Sequence, residues 1–266
     1  MSKEKSVRAE LVRLSQSGGV FELELNDPSS RNAMSEEMAA EFYQRVLALR
    51  ENPEVRVLVL TGAGQAFSGG GHLDMLFEKT KLSREKNREL MELFYRQFLS
   101  VRDLDVPVIA KVNGHAVGAG LCLAMACDIR IAAEEAKLGL NFVQLGLHPG
   151  MGATYFLPRL VGAARAAELL FSGKIITAKY AAEIGLVNEC VAGDTLSPKV
   201  AELAQTIASA GPEAVRALKA SLRLSEQLPL AECLRRESGC QARNYVGAEF
   251  LEGITAAKEK RKPRFV

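Results

Sequence analysis

The sequence predicts an α/β protein that ends in a wholly helical region, and three observations support this fold class. Apolar, β-branched runs at 55–61, 108–112 and 129–133 indicate strands that are covered on both faces. Segments with the apolar spacing of helices separate these runs, as in an α/β protein. After about residue 198 the strand signals end and only helical patterns follow.

A hairpin and a helix are predicted at the start of the chain. Short strands at 8–14 and 19–25 flank a turn, and the second strand alternates apolar and acidic side chains. Ser35 precedes two glutamates and a run with helical spacing that reaches Arg50. Because serine caps free backbone N–H groups and acids favour the first turn, this pattern predicts a helix that begins after Ser35.

The end of the chain contains helical patterns alone. The predicted helices span 199–210, 212–225, 231–245 and 246–259. We therefore predict two regions, a mixed core over 1–198 and a helical region over 199–266.

The composition is that of an ordinary globular protein. The 266 residues are 48% hydrophobic and 25% charged, which is enough to bury one substantial core or two modest ones. The 34 basic and 32 acidic side chains leave a net charge of +2. So small an excess gives no electrostatic footprint for a nucleic acid or an anionic membrane. No apolar run is long enough to span a bilayer, so we expect no membrane segment.

The cysteines indicate a reducing compartment. There are five, an odd number, and none forms a CxxC pair or a cluster with histidine at zinc spacing. A disulfide framework or a metal site is therefore not expected. We predict reduced thiols in a cytoplasmic protein.

Two glycine-rich segments follow predicted buried strands and precede helices. They read TGAGQAFSGGGHLDML from Thr61 and NGHAVGAGLCLAMAC from Asn113. Neither contains the GxxxxGK[ST] of a phosphate loop or the GxGxxG of a dinucleotide site. Ser68 lies in a pattern one residue away from the GxSxG elbow of hydrolases, so a serine nucleophile is an alternative. A catalytic triad with this serine requires a later aspartate and then a histidine. The chain has only three histidines that could complete it, at positions 72, 115 and 148.

Two further interpretations explain why the chain avoids side chains in these segments. Glycine permits close packing of a helix on a sheet. It also allows a ligand to approach free N–H groups at a helix start. If two such groups meet at one carbonyl oxygen, they form an oxyanion hole. The duplication of the segment favours the second interpretation.

The residues that carry a family resemblance lie in five stretches, in order along the chain. They are RNAMS (31–35), VRVLVLTGAGQAFSGGGHL (55–73), PVIAKVNGHAVGAGLCLAMACDIRIA (107–132), AKLGLNFVQLGLHPGMGAT (136–154) and FSGKIITAKYAAEIGLVNECV (171–191). Together they resemble the enoyl-CoA hydratase/isomerase, or crotonase, superfamily. The resemblance implies a ClpP-like spiral of ββα units with a helical C-terminal trimerisation region. It also implies a homotrimer or a dimer of trimers.

The resemblance further implies an acyl-CoA substrate, with no cofactor besides this CoA thioester. By position, Gly71 and Ala119 would donate two backbone N–H bonds to the thioester oxygen. The other residues implied to bind substrate are Arg31 and Ala33 beside the CoA moiety, Gly69 and Leu73 with Gly71 at the adenine, and Phe142 at the acyl pocket. In the basic tail, Lys258, Arg261 and Lys262 would meet CoA phosphates, and the alternative is a solvated helix end.

This chain departs from the hydratase pattern at both acids. Cys122 and Phe142 occupy the positions of the two glutamates of a family hydratase. Phenylalanine has no proton to transfer, and a free thiol titrates near 8.5 rather than near 4.3. We therefore prefer isomerisation or another enolate step on an acyl-CoA. The alternatives are a weak hydratase and a non-catalytic subunit that binds acyl-CoA or supports an oligomer.

Other side chains are candidates for the missing acid–base chemistry. Cys122 is either a small apolar filler or a thiol activated by the helix start. His72 would either face the acyl pocket or cap the following helix. Further polar candidates are Asn141 and Gln144 near the vacated position and Glu85, Glu89, Glu92 and Tyr95 on the covering helix.

Overall fold

The computed structural model describes residues 10–265, and their strands form two sheets. The strands are β1 (Val12–Ser17), β2 (Val20–Leu25), β3 (Val57–Gly62), β4 (Ala66–Ser68), β5 (Val108–Val112), β6 (His115–Val117), β7 (Ile129–Ala133), β8 (Lys137–Gly139), β9 (Ile175–Thr177) and β10 (Glu189–Val191).

Helices surround these sheets, and the last of them ends at Glu259. The α-helices are α1 (Glu36–Glu51), α2 (Leu73–Lys79), α3 (Arg84–Leu99), α4 (Ala119–Ala126), α5 (Ala153–Val161), α6 (Ala163–Ser172), α7 (Ala178–Glu183), α8 (Gly193–Ala208), α9 (Pro212–Ser225), α10 (Leu230–Tyr245) and α11 (Ala248–Glu259).

Successive strand pairs divide between the two sheets. The larger sheet has the order β1-β2-β3-β5-β7-β10, and only β1 and β2 pair antiparallel. The smaller sheet has the order β4-β6-β8-β9, parallel except between β8 and β9. Each of β3, β5 and β7 thus lies in the larger sheet, and the strand after it lies in the smaller one. This repeat confirms the predicted α/β class and its ββα organisation.

The apolar runs of the sequence form the core. Every residue of β3 is buried, because helices cover the large sheet on both faces. The capped helix is confirmed as α1, where the Ser35 hydroxyl accepts a hydrogen bond from Met38 N at 3.1 Å. Its buried stripe is formed by Met38, Ala39, Phe42, Val46 and Leu49.

Several predicted bounds differ from the structure. The first strand runs over Val12–Ser17 instead of 8–14, and residues 8 and 9 lie outside the described part of the chain. The helix predicted from residue 199 begins at Gly193 and continues through Pro198. Pro198 is the sixth residue of α8 and removes one hydrogen bond inside the helix, but the helix continues because Leu196, Val200 and Ala204 pack against the sheet. Residue 198 therefore falls within α8, and the division into two regions stays a prediction.

An ion pair with a buried lysine joins the helical end to the sheet. Lys219 of α9 lies 2.7 Å from the Asp128 carboxylate and also donates to the carbonyl oxygen of Val106. Asp128 in turn accepts a hydrogen bond from Val108 N at 2.8 Å. Beyond this anchor, α10 packs on α9 and α11 packs on α10. Within residues 10–265, none of the helices has the length and apolar character needed to cross a membrane.

Candidate active site

The two glycine-rich segments meet in space. We call residues 69–71 the first glycine turn and residues 118–120 the second glycine turn. A Cβ atom built on Gly70 would lie 2.7 Å from Val117 O and 3.5 Å from Ala119 N. Gly70 also has a φ of +90°, which side chains rarely adopt. Only glycine therefore lets the first turn lie against the second.

The backbone of the first glycine turn leaves the Gly71 amide free. Met34 forms a parallel bridge with Gly71, in which Met34 N donates to Gly70 O and His72 N donates to Met34 O. In this geometry Gly70 O and His72 N face Met34. The N–H of Gly71 therefore points away from Met34. Within residues 10–265 this N–H has no acceptor.

The second glycine turn leaves the Ala119 amide free for a different reason. Ala119 is the first residue of α4, and a first-turn N–H has no partner within its helix. Gly118 sets the direction of the helix, with a φ of 54° and its own N–H bonded to Gly139 O at 2.8 Å. In the described part of the chain, the Ala119 N–H likewise has no acceptor.

Gly120 fixes how closely α4 approaches the smaller sheet. A Cβ atom on Gly120 would lie 2.6 Å from both Cβ and O of Ser68. Distances below 3 Å are not tolerated, so the helix start rests directly on the β4 backbone. The packing interpretation of the glycines is therefore correct for Gly120, while Gly71 and Ala119 keep free amides.

Asn32 supports the first glycine turn and was not among our candidate site residues. Its side chain is buried and donates to Ala63 O at 2.9 Å and Ala66 O at 2.8 Å. Its Oδ1 accepts from Asp27 N at 2.9 Å, and its backbone φ is 54°. Asparagine tolerates this left-handed conformation better than most residues do. The only sequence signal was that Asn32 lies in the RNAMS stretch.

Ser68 has a structural role. Its side chain is fully buried, and its hydroxyl donates to Asn32 O at 2.8 Å and accepts from Gly70 N at 3.2 Å. The hydroxyl is thus occupied and closed to solvent, whereas an elbow nucleophile must be exposed. The serine-nucleophile alternative is therefore not supported.

Phe142 lies beside the second glycine turn. It is half-buried in the 3₁₀ turn Asn141–Leu145, and its ring tip would lie 3.9 Å from a Cβ atom on Gly118. Asn141 Oδ1 would lie 3.6 Å from the same point. Gln144 instead donates to Ser172 O at 2.6 Å, away from the turn. Of the polar candidates in this segment, Asn141 is the one near the free amides.

Cys122 is a buried filler. Its side chain is fully buried, with Sγ 3.5 Å from Gly150 O. Burial raises the pKa of the Cys122 thiol, which is opposite to the change that an activated thiol needs. The interpretation of Cys122 as a reactive thiol is therefore not supported.

His72 lies directly after the first glycine turn. It occupies the cap position of α2, but its side chain makes no capping hydrogen bond. Its Nδ1 lies 3.9 Å from Asp74 Oδ2, and the ring is about one-third exposed. The helix-cap interpretation of the ring is therefore wrong, and its role toward the acyl pocket stays a prediction.

The residues implied to bind CoA lie on both sides of the first glycine turn. Gly69 N donates to Arg31 O at 2.8 Å, which places Arg31 and the turn side by side. Arg31 is exposed, Ala33 is half-buried, and Leu73 is 71% exposed at the start of α2. These positions are at least partly accessible, and their contacts with CoA stay predictions.

The basic tail is already paired with acids. Arg261 contacts the carboxylates of Glu252 and Glu259 at 2.6 Å each. The Arg261 guanidinium lowers the pKa of Glu252 to about 2. Lys258 and Lys262 are exposed. A phosphate would have to compete with the two glutamates for Arg261, so the tail's role in CoA binding stays a prediction.

No obvious metal centre accompanies the free amides. Over residues 10–265, no three histidine, cysteine, aspartate or glutamate side chains lie close enough together to hold a metal ion. What the two turns offer chemically is a pair of free backbone N–H donors from segments that are in contact.

Comparison with known proteins agrees with this architecture. The family model for enoyl-CoA hydratase/isomerase matches residues 15–266. A crotonyl-CoA hydratase of Syntrophomonas wolfei is 38% identical over 92% of this chain and 93% of its own length. The human mitochondrial enoyl-CoA hydratase domain-containing protein 2 is 36% identical over 93% of this chain and 86% of its own.

Solved structures show the same fold. An enoyl-CoA hydratase from Bacillus anthracis superposes with a TM-score of 0.90 at 36% identity, covering 96% of this chain and 98% of the other. The chain therefore belongs to the enoyl-CoA hydratase/isomerase family.

Proposed function

We propose that this protein acts on acyl-CoA thioesters and stabilises a thioester enolate between the amides of Gly71 and Ala119. The observation that carries the proposal is that two free N–H groups belong to turns in direct contact. Each fixed donor of such a pair typically contributes about a hundred- to a thousandfold in rate, because it is in place before the charge develops.

The surrounding side chains favour isomerisation or another enolate step over hydration. Hydration in the family uses two carboxylates, and the resemblance implies that Cys122 and Phe142 stand at those positions. Burial keeps the Cys122 thiol protonated, and Phe142 offers no ionisable group. The amides can still stabilise an enolate, whereas the activation of water has lost both of its expected bases.

Enoyl-CoA hydration is the second candidate function. It is favoured by the names of the relatives, since both the Syntrophomonas and the Bacillus proteins are called hydratases. Hydration by this chain would need another polar group, and Asn141 beside Gly118 is one candidate.

We also propose that the C-terminal helices support a homotrimer or a dimer of trimers. Large apolar side chains on these helices are exposed in the single chain. Burying such side chains against another copy would remove them from water. They include Leu218, Leu222, Leu234, Tyr245 and Leu251.

The experiment that tests the proposal measures turnover of 2-enoyl-, 3-enoyl- and 3-hydroxyacyl-CoA thioesters by the purified protein. We expect conversion of 3-enoyl to 2-enoyl thioesters to exceed hydration. Gly71→Pro removes one donor and should lower kcat about a hundred- to a thousandfold. Asp74→Pro is the matched control, because proline is tolerated in the first turn of α2 and the Asp74 amide has no proposed role.

Two results would contradict the proposal. Equal activity of Gly71→Pro and the parent would show that the Gly71 amide is not a donor to the transition state. Tight binding of acyl-CoA without turnover of any thioester would instead establish the non-catalytic binder.

A further inference from the structure

Tyr95 of α3 reaches the wall formed by Cys122 and Gly150. A Cβ atom on Gly150 would lie 2.3 Å from the Tyr95 hydroxyl oxygen and 2.9 Å from its ring carbon Cζ. Cys122 Sγ lies 3.5 Å from the Gly150 carbonyl oxygen. Gly150 therefore leaves the space that the phenol occupies, and the hydroxyl lies next to the buried thiol.

The Tyr95 hydroxyl has no hydrogen-bond partner among residues 10–265. The ring is half-buried against the core and makes an edge contact with Phe94, at 6.4 Å between ring centroids. A tyrosine hydroxyl beside an apolar wall gains free energy when a bound molecule supplies a hydrogen-bond acceptor. The Tyr95 hydroxyl is thus available to a bound molecule.

The position of Cys122 relates this hydroxyl to the proposed oxyanion site. Cys122 follows Ala119 by three residues in α4, so the two lie on the same helix face about 5 Å apart. An acyl-CoA whose thioester oxygen meets the Ala119 amide would extend its acyl chain over about this distance. An acyl chain that ran along this helix face from Ala119 to Cys122 would pass the wall that the Tyr95 hydroxyl contacts.

We propose that Tyr95 donates a hydrogen bond to an uncharged oxygen, a hydroxyl or a carbonyl, on the acyl chain of the bound thioester. This inference rests on the proposed function and goes beyond it, because it assigns a specificity-determining residue. Burial and the neighbouring Cys122 raise the pKa of the Tyr95 hydroxyl, so it keeps its proton and can donate.

The chemistry of the wall restricts the substituent to an uncharged one. Cys122 and Gly150 are neutral, and the Cys122 thiol stays protonated. A carboxylate or an ammonium group placed here would lose hydration without gaining an opposite charge, which is strongly unfavourable. A hydroxyl or carbonyl oxygen needs one donor, which the phenol supplies.

The test is a binding comparison of butyryl-CoA with 3-hydroxybutyryl-CoA, which differ by one oxygen. Affinities are measured by displacement of a fluorescent CoA analogue within seconds of mixing, so that slow conversion does not interfere. We expect the parent protein to bind 3-hydroxybutyryl-CoA about five- to tenfold more tightly, as one net hydrogen bond would provide. Tyr95→Phe should bind both ligands with the affinity that the parent has for butyryl-CoA.

Two further variants complete the design. Tyr180→Phe changes another partly buried tyrosine, on α7, and should keep the full preference. Gly150→Ala adds a methyl group against the phenol and should lose the preference, although Tyr95 keeps its hydroxyl. Because the Tyr95 hydroxyl has no protein partner to lose, Tyr95→Phe should fold normally, and circular dichroism checks this.

The outcomes separate this inference from the proposed function. If butyryl-CoA binds but Tyr95→Phe keeps the parent's preference, or the parent has none, the role of Tyr95 is overturned and the acyl-CoA site stands. If neither thioester displaces the analogue from the parent protein, the acyl-CoA site itself is overturned.

Discussion

The two glycine turns resemble each other in sequence and differ in their depth within the molecule. The first leads into α2, which has no buried residue. The second leads into α4, in which every residue is buried. Glycine-rich sequence thus indicates where backbone amides are left free, but it does not indicate whether the amide lies at a surface helix or at the centre of the core.

This difference changes how each amide is held in place. The second glycine turn starts a helix that rests on β4 and is enclosed by the core. The first is attached to an exposed helix, so its position depends on the buried side chains of Asn32 and Ser68 beneath it. Substitutions beneath the turns should therefore lower the free energy of unfolding far more than substitutions on α2.

The largest effect is expected for Asn32→Ala. The substitution leaves two buried carbonyl oxygens and the Asp27 amide without their partner. Since each unsatisfied buried group costs about 1–3 kcal/mol, the free energy of unfolding should fall by about 3–5 kcal/mol. Urea unfolding at fixed protein concentration measures the change.

Asn52→Ala is the matched control for Asn32. The Asn52 side chain accepts a single, exposed hydrogen bond from Glu54 N at 2.9 Å. Its loss should cost no more than about 1 kcal/mol. A similar loss for both variants would show that Asn32 does not support the first glycine turn.

A smaller effect is expected for Gly120→Ala. Its new Cβ atom would lie 2.6 Å from Ser68 O, a backbone atom that moves only with β4. Overpacking of this kind costs about 1–3 kcal/mol, and the shift would also separate the two amides and lower turnover. Thermal and urea unfolding, together with the isomerase assay, measure both effects.

The same substitution at Gly239 serves as its control. Gly239 lies within α10, and a Cβ atom there meets nothing within 4 Å. Because alanine is the better helix former, Gly239→Ala should stabilise the protein by about 0.5–1 kcal/mol. Stabilisation by Gly120→Ala as well would refute the tight contact between α4 and β4.

The smallest effect is expected for Leu73→Ala on α2. The side chain is 71% exposed, so the free energy of unfolding should change by less than about 0.5 kcal/mol. CoA affinity should stay within about twofold, since the predicted contact uses backbone groups. Phe171→Ala, at 82% exposure on α6, is the control. A tenfold loss of CoA affinity for Leu73→Ala alone would show that the side chain itself binds the ligand.

The chain elements were predicted best where local pattern and burial agree. The run at 55–61 became β3, fully buried, and Ser35 caps α1 as its hydroxyl chemistry indicates. The start of α8 was placed six residues too late, because a proline inside a helix resembles a helix boundary in sequence. Helix propensity reflects the local sequence alone, and packing against distant parts of the chain can override it.

The candidate site was predicted less completely. The positions of Gly71 and Ala119 could be named from the family resemblance, but the contact between their turns is a distance between segments 48 residues apart. Asn32 was missed because nothing in one sequence marks an asparagine as buried. Tyr95 was one of several polar candidates on its helix, and only its contact with Gly150 distinguishes it from the exposed glutamates.

By itself the sequence determined the α/β class, the family and the positions where the backbone carries no large side chain, because apolar periodicity and glycine are properties of neighbouring residues. Only the tertiary structure decided which amides stay unpaired, which turn is buried, and that a thiol and a phenol share one wall. Those facts depend on where distant segments pack against each other, and burial and hydrogen bonding between such segments leave no local pattern along the chain.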